Sequence, residues 1–286
     1  MLSLLELFIP YFLRQIDFST NKFINHSRPK STMAFLDSIF NPTLGPLMNL
    51  SPFWGILIMS LLISLAITLV YKYFSNQTEM KRLKDEQKEY QKKMKELRDN
   101  PQEMMKVQKE AMGKNFEYMK HSFKPTLITM LPILLIFGWM TAHLSFEPIY
   151  PGETYTVTAV FKPGVLGPAE LVVDNGTTLV GSAVQEIKDS TATWSLKSTI
   201  GEHFLNFKVG QEEQTKKILT STKLEYESQM TVYDHSDFTQ IKVNYNKLRP
   251  MGPDFTLLGW QPGWLGLYII TSLVFSVLFR KVFNIY

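Results

Sequence analysis

Phe53–Phe74 reads FWGILIMSLLISLAITLVYKYF, Thr126–Phe146 reads TLITMLPILLIFGWMTAHLSF and Gly263–Phe279 reads GWLGLYIITSLVFSVLF. A bilayer core about 30 Å thick takes roughly 17–25 mostly apolar residues as helix. The first two stretches meet that with room to spare. The third is short and gains length if Trp260 and the Arg280–Lys281 pair lie in the interfaces. Apolar runs this long and this free of charge are rare in soluble cores, and these end in residues suited to headgroups: Trp54, Lys72, Lys124, Trp260, Trp264, Arg280 and Lys281. The expected spans are residues 53–74, 126–146 and 259–280.

Charge orients them. From Lys72 to Lys124 there are 14 Lys/Arg against 9 Asp/Glu; from Glu147 to Asp254 there are 10 against 14. The positive-inside rule places 75–125 and the 281–286 tail in the cytosol and the 147–258 segment outside. The N-terminal tail, 1–52, is then also outside, so this is a multi-pass protein of the cell membrane. Arg14, Lys22, Arg28 and Lys30 fit poorly in that tail, and Leu2–Leu13 is apolar but too short to span. A start at Met33 would leave a tail with no Lys or Arg before the first span. In that tail Phe35–Phe40 suits a helix lying in the interface.

Between the first two spans, Met80, Leu83, Gln87, Tyr90, Met94 and Leu97 repeat at spacings of three and four, which predicts one face of a helix. Asp99-Asn100-Pro101 interrupts it: asparagine suits an N-cap and proline the first helical position. The second helix carries Met105, Gln108, Met112, Phe116, Met119 and Phe123 in the same way. A short turn predicts an antiparallel pair. Two readings of this face stand side by side. The helices pack on each other through it, or its methionines, unbranched and adaptable, hold an apolar client. Met94, Met104, Met105, Met112, Phe116 and Met119 are the candidate client-binding residues. The basic outer faces suit anionic lipid or ribosomal RNA as well as plain solvation.

Hydroxyls punctuate the spans: Ser60, Ser64 and Thr68 in one stripe of the first, Thr129 beside Pro132 in the second, and Thr271, Ser272 and Ser276 in the third. They either mediate close helix packing or line a polar groove for a translocating segment. No Asp, Glu, Lys or Arg lies deep in a span, which argues against a proton relay or an ion-coupled pump.

From Thr154 the period changes to two. Thr154–Phe161, Ala169–Asp174, Thr178–Val184, Ala192–Thr199, His203–Val209, Lys216–Thr220, Gln229–Tyr233 and Thr239–Tyr245 read as strands of a β-sandwich-like domain with Trp194, Phe204 and Phe207 in its core. Asn175-Gly176 reads as a primed hairpin turn. Asn175-Gly176-Thr177 is also a glycosylation sequon, as is Asn76-Gln77-Thr78 on the cytosolic side. There is no cysteine, GxSxG, HExxH or glycine-rich phosphate loop, and Asp234-His235-Ser236-Asp237 reads as a loop. Neither catalysis, cofactor, metal nor small-molecule substrate is expected.

The stretch from Asn41 to Met140 resembles the archaeal YidC-like proteins of the YidC/Oxa/Alb insertase superfamily, which also includes the insertase subunit of the endoplasmic reticulum membrane complex. The residues that carry it are NPTLGPLMNLSPFWGILIMSLLISLAITLVYKYF, then MKRLKDEQKEYQKKMKEL, then NPQEMMKVQKEAMGKNFEYMKHSFKPTLITMLPILLIFGWM, in that order. The resemblance implies a nucleotide-independent insertase that moves apolar segments of new proteins from cytosol to bilayer through a hydrophilic groove. It implies nascent membrane proteins and the lipid bilayer as partners, with the ribosome or signal recognition particle as candidates for the basic hairpin. Two features depart from the bacterial pattern: no arginine stands in the first span, and the β-domain sits between the second and third spans. The rival reading is a membrane-anchored scaffold or assembly factor that binds partners through hairpin and β-domain.

Overall fold

The computed structural model describes residues 30–285 apart from Leu258; the readings placed on residues 1–29 lie outside them. The chain forms two compact units, one of Leu36–Ser145 with Leu248–Tyr286 and one containing Phe146–Lys247.

In the helical unit, α1 (Lys30–Phe40) leads through a 3-10 turn (Gly45–Asn49) to α2 (Pro52–Phe74), α3 (Gln77–Glu96), α4 (Pro101–Leu144) and, beyond the β-domain, α5 (Trp264–Val282). Three of these, α2, α4 and α5, are long and apolar enough to cross a membrane. Pro52 opens α2, where its missing N–H costs nothing. Three residues on, Gly55 lets the preceding turn lie against the helix, since a Cβ there would stand 2.8 Å from the Leu47 carbonyl oxygen. Asn76 caps α3 and Asn100 caps α4, their Oδ1 atoms accepting the Glu79 and Glu103 amides at 3.2 and 3.4 Å. The second cap and Pro101 stand where the sequence places them.

The boundary between hairpin and second span falls at Pro125. No break separates hairpin from span: α4 runs through Pro125 and Pro132 as one helix of 44 residues. Proline removes a helical N–H and crowds the preceding turn, but hydroxyls brace that region. Ser122 Oγ donates to the Tyr118 carbonyl at 3.2 Å, Thr126 Oγ1 to Ser122 at 2.7 Å and Thr129 Oγ1 to Pro125 at 3.1 Å. In α2, Ile56, Met59 and Ile63 are buried, and the helix packs against both α4 and α5. Farther along α4, Trp139 donates its indole N–H to Asn41 Oδ1 at 2.9 Å, and Phe137 meets Tyr268 of α5 edge to face at 4.9 Å.

The second unit holds two antiparallel sheets. Strands β1 (Thr154–Phe161), β3 (Thr177–Leu179), β5 (Thr191–Ser198), β8 (Met230–Val232) and β9 (Phe238–Val243) form one, in the order β3-β5-β1-β9-β8. The other is β4-β2-β6-β7, from β2 (Pro168–Val172), β4 (Val184–Glu186), β6 (Gly201–Val209) and β7 (Glu212–Thr220). Burial alternates along the long strands, and the inward residues make one core in which Trp194 meets Phe207 at 5.4 Å.

Three details correct the sequence reading. Phe204 is outward: His203, Leu205, Phe207 and Val209 face in, and residues three apart on a strand cannot share a face. The segment Thr178–Val184 is not one strand, since β3 and β4 belong to different sheets. Asn175-Gly176 is accordingly not a hairpin turn. It carries the chain between sheets, with Asp174 accepting the Gly176 amide at 3.2 Å. Tight two-residue turns lie instead at Gly210-Gln211, between the paired Val209 and Glu212, and at Asp189-Ser190, both at positive φ, where Lys188 and Thr191 exchange backbone hydrogen bonds of 2.9 and 3.0 Å. Asp234–Asp237 is a loop held by Glu212, whose carboxylate accepts from Ser236 Oγ at 2.5 Å and the Asp237 amide at 2.8 Å.

Candidate functional site

The hairpin packs antiparallel. Lys114 of α4 reaches Glu86 of α3 at 3.2 Å, and Arg82 of α3 stands 3.7 Å from Glu117 of α4. On α3 the predicted face is the packed one: Met80 and Leu83 are buried, and Gln87, Tyr90, Met94 and Leu97 are half-buried. On α4 the packed face is a different one. Met104, Val107, Ala111, Lys114 and Tyr118 turn toward the neighbouring helices, followed by Ser122, Pro125 and Thr129. Small side chains at Ala111 and Ser122 let the helices approach, and charged ones close the edges.

The stripe expected to form the second half of the seam is therefore outside. Met105, Met112, Phe116, Met119 and Phe123 are all exposed, between 45% and 68%. It does not stop at the hairpin's end. Leu127, Met130, Leu131 and Leu134 continue the same face along the span, because the helix beneath them is unbroken. Of the candidate client-binding residues, Met105, Met112, Phe116 and Met119 lie on this face, while Met94 and Met104 lie in the seam. Lys120 borders the stripe with its ammonium 5.0 Å from the Phe116 ring.

Behind the face is a charge network. Arg82 bonds Glu79 and Glu86, and Lys114 bonds Glu86 and Glu117. The Arg82 guanidinium holds Glu79 below the usual carboxylate range, and Glu117 with Glu86 holds Lys114 above that of lysine. Glu79, Glu117 and His121 also bring three donor atoms within 4.8 Å of one another, a spacing a cation could bridge. Arg82 already supplies positive charge at that point.

The predicted groove hydroxyls of α2 and α4 are packed, and those of α5 are half-buried. Ser60, Ser64 and Thr68 are buried in α2, and Ser64 Oγ reaches the Ser272 carbonyl of α5 at 3.4 Å. The others return to their own helices: Ser60 to Leu57, Thr68 to Ser64, Thr129 to Pro125 and Thr126, Thr271 to Leu267, Ser272 to Ile269. Ser276 is half-buried.

Contacts that the sequence reading did not foresee join the three helices near the hairpin. Tyr71 of α2 shares a 2.6 Å hydrogen bond with Thr126 of α4, and the Arg280 guanidinium of α5 lies 5.5 Å from the Tyr71 ring centre. Lys72 lies 5.2 Å from the Phe283 ring. Of the other proposed anchors, Trp54, Lys124, Trp260 and Lys281 are exposed, and Trp264 meets Phe137 at 6.2 Å.

No curated protein and no solved structure matches the chain. Residues 38–164, from α1 through α2, the hairpin and α4 into β1, match the model of the integral membrane protein EMC3/TMCO1-like family, which lies within the Oxa1/YidC/Alb3 insertase-related superfamily.

Proposed function

We propose that the chain is a membrane protein insertase of the archaeal YidC-like kind, which takes an apolar helix of a new protein from the cytosol and passes it into the bilayer without nucleotide. The observation that carries this is the exposed methionine and phenylalanine face of α4, which begins on the hairpin and continues along the span on one helix. The family match adds a role in membrane protein insertion or assembly.

The physics is management of water. Fully burying a large apolar side chain is worth about 1.5–3 kcal/mol. Five such residues partly covered by a client give several kcal/mol, less the cost of ordering the complex. Methionine suits clients of varied shape. A client held on this face need not return to water to reach lipid, because the supporting helix enters the bilayer itself. The hydroxyls of α2, α4 and α5 are the polar counterpart. Buried or half-buried at rest, they would line the path of a client's polar flank once the helices part.

The orientation that goes with this is hairpin and C-terminus in the cytosol, β-domain and N-terminus outside, with nascent membrane proteins as clients and the basic hairpin turned toward ribosome or signal recognition particle. The chain has no cysteine, so single cysteines at Lys84, Lys109 and Asn175 report sidedness with an impermeant label on intact cells. Function is tested by reconstitution into liposomes with a short single-span client. Insertion above that of protein-free vesicles is expected. Partner binding with no insertion would favour the scaffold reading instead.

A further inference from the structure

The crossover between β2 and β3 places an asparagine beside an apolar patch that the β-domain leaves uncovered. Asp174, Asn175, Gly176 and Thr177 are clamped to the start of β6: Asp174 accepts the Phe204 amide at 3.2 Å, and the Gly176 carbonyl accepts the Thr199 amide at 2.9 Å. Gly176 is required there, since a Cβ would lie 2.5 Å from the His203 ring. The clamp leaves Asn175 exposed. Around it are Val172, Ile200 and Phe204, with Ile200 64% and Phe204 50% exposed. Val172 pairs with Asn206 on the outer face of the sheet, so Phe204 is its diagonal neighbour there.

The triplet Asn175-Gly176-Thr177 has the form Asn-x-Thr. Other triplets of this kind are poorly placed. Asn49-Leu50-Ser51 and Asn76-Gln77-Thr78 each lie within three residues of an end of α2, flush with the membrane, and Asn76 caps α3. Asn41-Pro42-Thr43 has the excluded proline, and Asn25-His26-Ser27 lies outside the described residues.

We propose that Asn175 carries an N-linked oligosaccharide whose first sugar lies on the Phe204, Ile200 and Val172 patch. The donor class is a lipid-linked oligosaccharide, and the catalyst a transferase on the outer side of the membrane. Asn175 Nδ2 forms the bond to the sugar's C1. The C1–O bond to the lipid phosphate breaks with its electron pair leaving on the phosphate, and the amide proton passes to base. A pyranose has an apolar C–H face, and an exposed phenylalanine ring is the surface it stacks on. This accounts for an aromatic on the solvent side of a strand whose outer neighbours Glu202, Asn206 and Lys208 are polar or charged. The inference rests on the β-domain being outside, as in the orientation above.

The test is mass spectrometry of glycopeptides from the full-length protein purified from its native membranes. A sugar-bearing mass on the Asn175 peptide is expected, lost completely in Asn175→Gln and kept in Thr177→Ser, which preserves the hydroxyl. Phe204→Ala should lower the thermal midpoint of the glycosylated protein by about 2–4 °C more than that of the Asn175→Gln protein, a difference on the order of half a kcal/mol or more for a domain this size. An unmodified Asn175 overturns the proposal, and equal shifts in the two backgrounds overturn the stacking. Labelling of a cysteine at 175 separates the failures: labelled from outside but never glycosylated, the site is wrong and the orientation stands; labelled only after lysis, the orientation is wrong.

Discussion

Ala111 and Met112 are sequence neighbours with opposite surroundings: Ala111 is 8% exposed in the hairpin seam, whereas Met112 is 65% exposed on the outer face of the same helix. Exchanging methionine for serine on the outer face should therefore leave the fold alone. Met105, Met112 and Met119 together changed to serine should shift stability by less than about 1 kcal/mol while reducing client insertion several-fold. Ala111→Leu should do the reverse, costing about 1–3 kcal/mol by overpacking the seam. Thermal melts in nanodiscs alongside an insertion assay read both. A triple variant that is folded and fully active removes the client-binding role.

The hydroxyl line should respond to number and size. One Ser→Ala change, at Ser64 for instance, should cost about 0.6 kcal/mol, the average for interhelical hydrogen bonds in membranes. Ser64, Thr68 and Ser272 all changed to leucine should separate α2 from α5 and lower stability by several kcal/mol. Clients with charged flanks should then lose more insertion than purely apolar ones if the hydroxyls serve the path. Equal losses for a matched pair of clients would mean that they only pack helices.

Gly55→Ala should misplace the turn that precedes α2. The new methyl meets a backbone oxygen, Leu47 O, rather than a side chain that can swing away, so about 1–3 kcal/mol of destabilisation is expected. Trp139 fluorescence offers a second readout, because its indole is bonded to Asn41 on the same N-terminal segment.

Lys216 gives the β-domain an alkaline pH dependence. Its side chain is buried, with Nζ donating to the Ser228 carbonyl at 2.6 Å and Thr231 Oγ1 at 2.8 Å, and burial pulls its pKa down to about 8 despite those acceptors. An unfolded lysine keeps its proton to about pH 10.4. Between the two values the unfolded chain binds a proton that the folded one does not, so stability rises with pH. The gain should be on the order of 3 kcal/mol across about pH 8–10.5, and Lys216→Met should flatten that part of the curve in a chemical-denaturation series.

Length and hydropathy made the three long apolar helices legible, and Asn100-Pro101 marked the hairpin turn, because both signals are local. The face of α4 was not legible. Apolar spacing identifies a stripe but not what lies against it, and here the packed side includes Ala111, Lys114 and Ser122, which a count of large apolar residues passes over. Period two found the strands but not their sheet partners. The same limit hid the crossover at Asn175 and let two phenylalanines three residues apart be assigned to one core. Tyr71 gave no sequence signal, and Arg280 was legible only as an anchor at the end of the third span; their proximity depends on how helices 209 positions apart pack.

The unbroken α4 also has a mechanical meaning. At about 1.5 Å per residue, its 44 residues make a rod about 66 Å long, of which less than half lies in the expected span. Tilting that span by about 10°, well within the range seen for membrane helices, would swing the far end near Pro101 through several ångströms, provided the rod stays rigid at Pro125. A local thinning of lipid, or the arrival of a bulky guest beside the span, would thus be felt at the cytosolic tip as displacement. The same stiffness works in reverse: a load docking at the tip would act as torque on the intramembrane part.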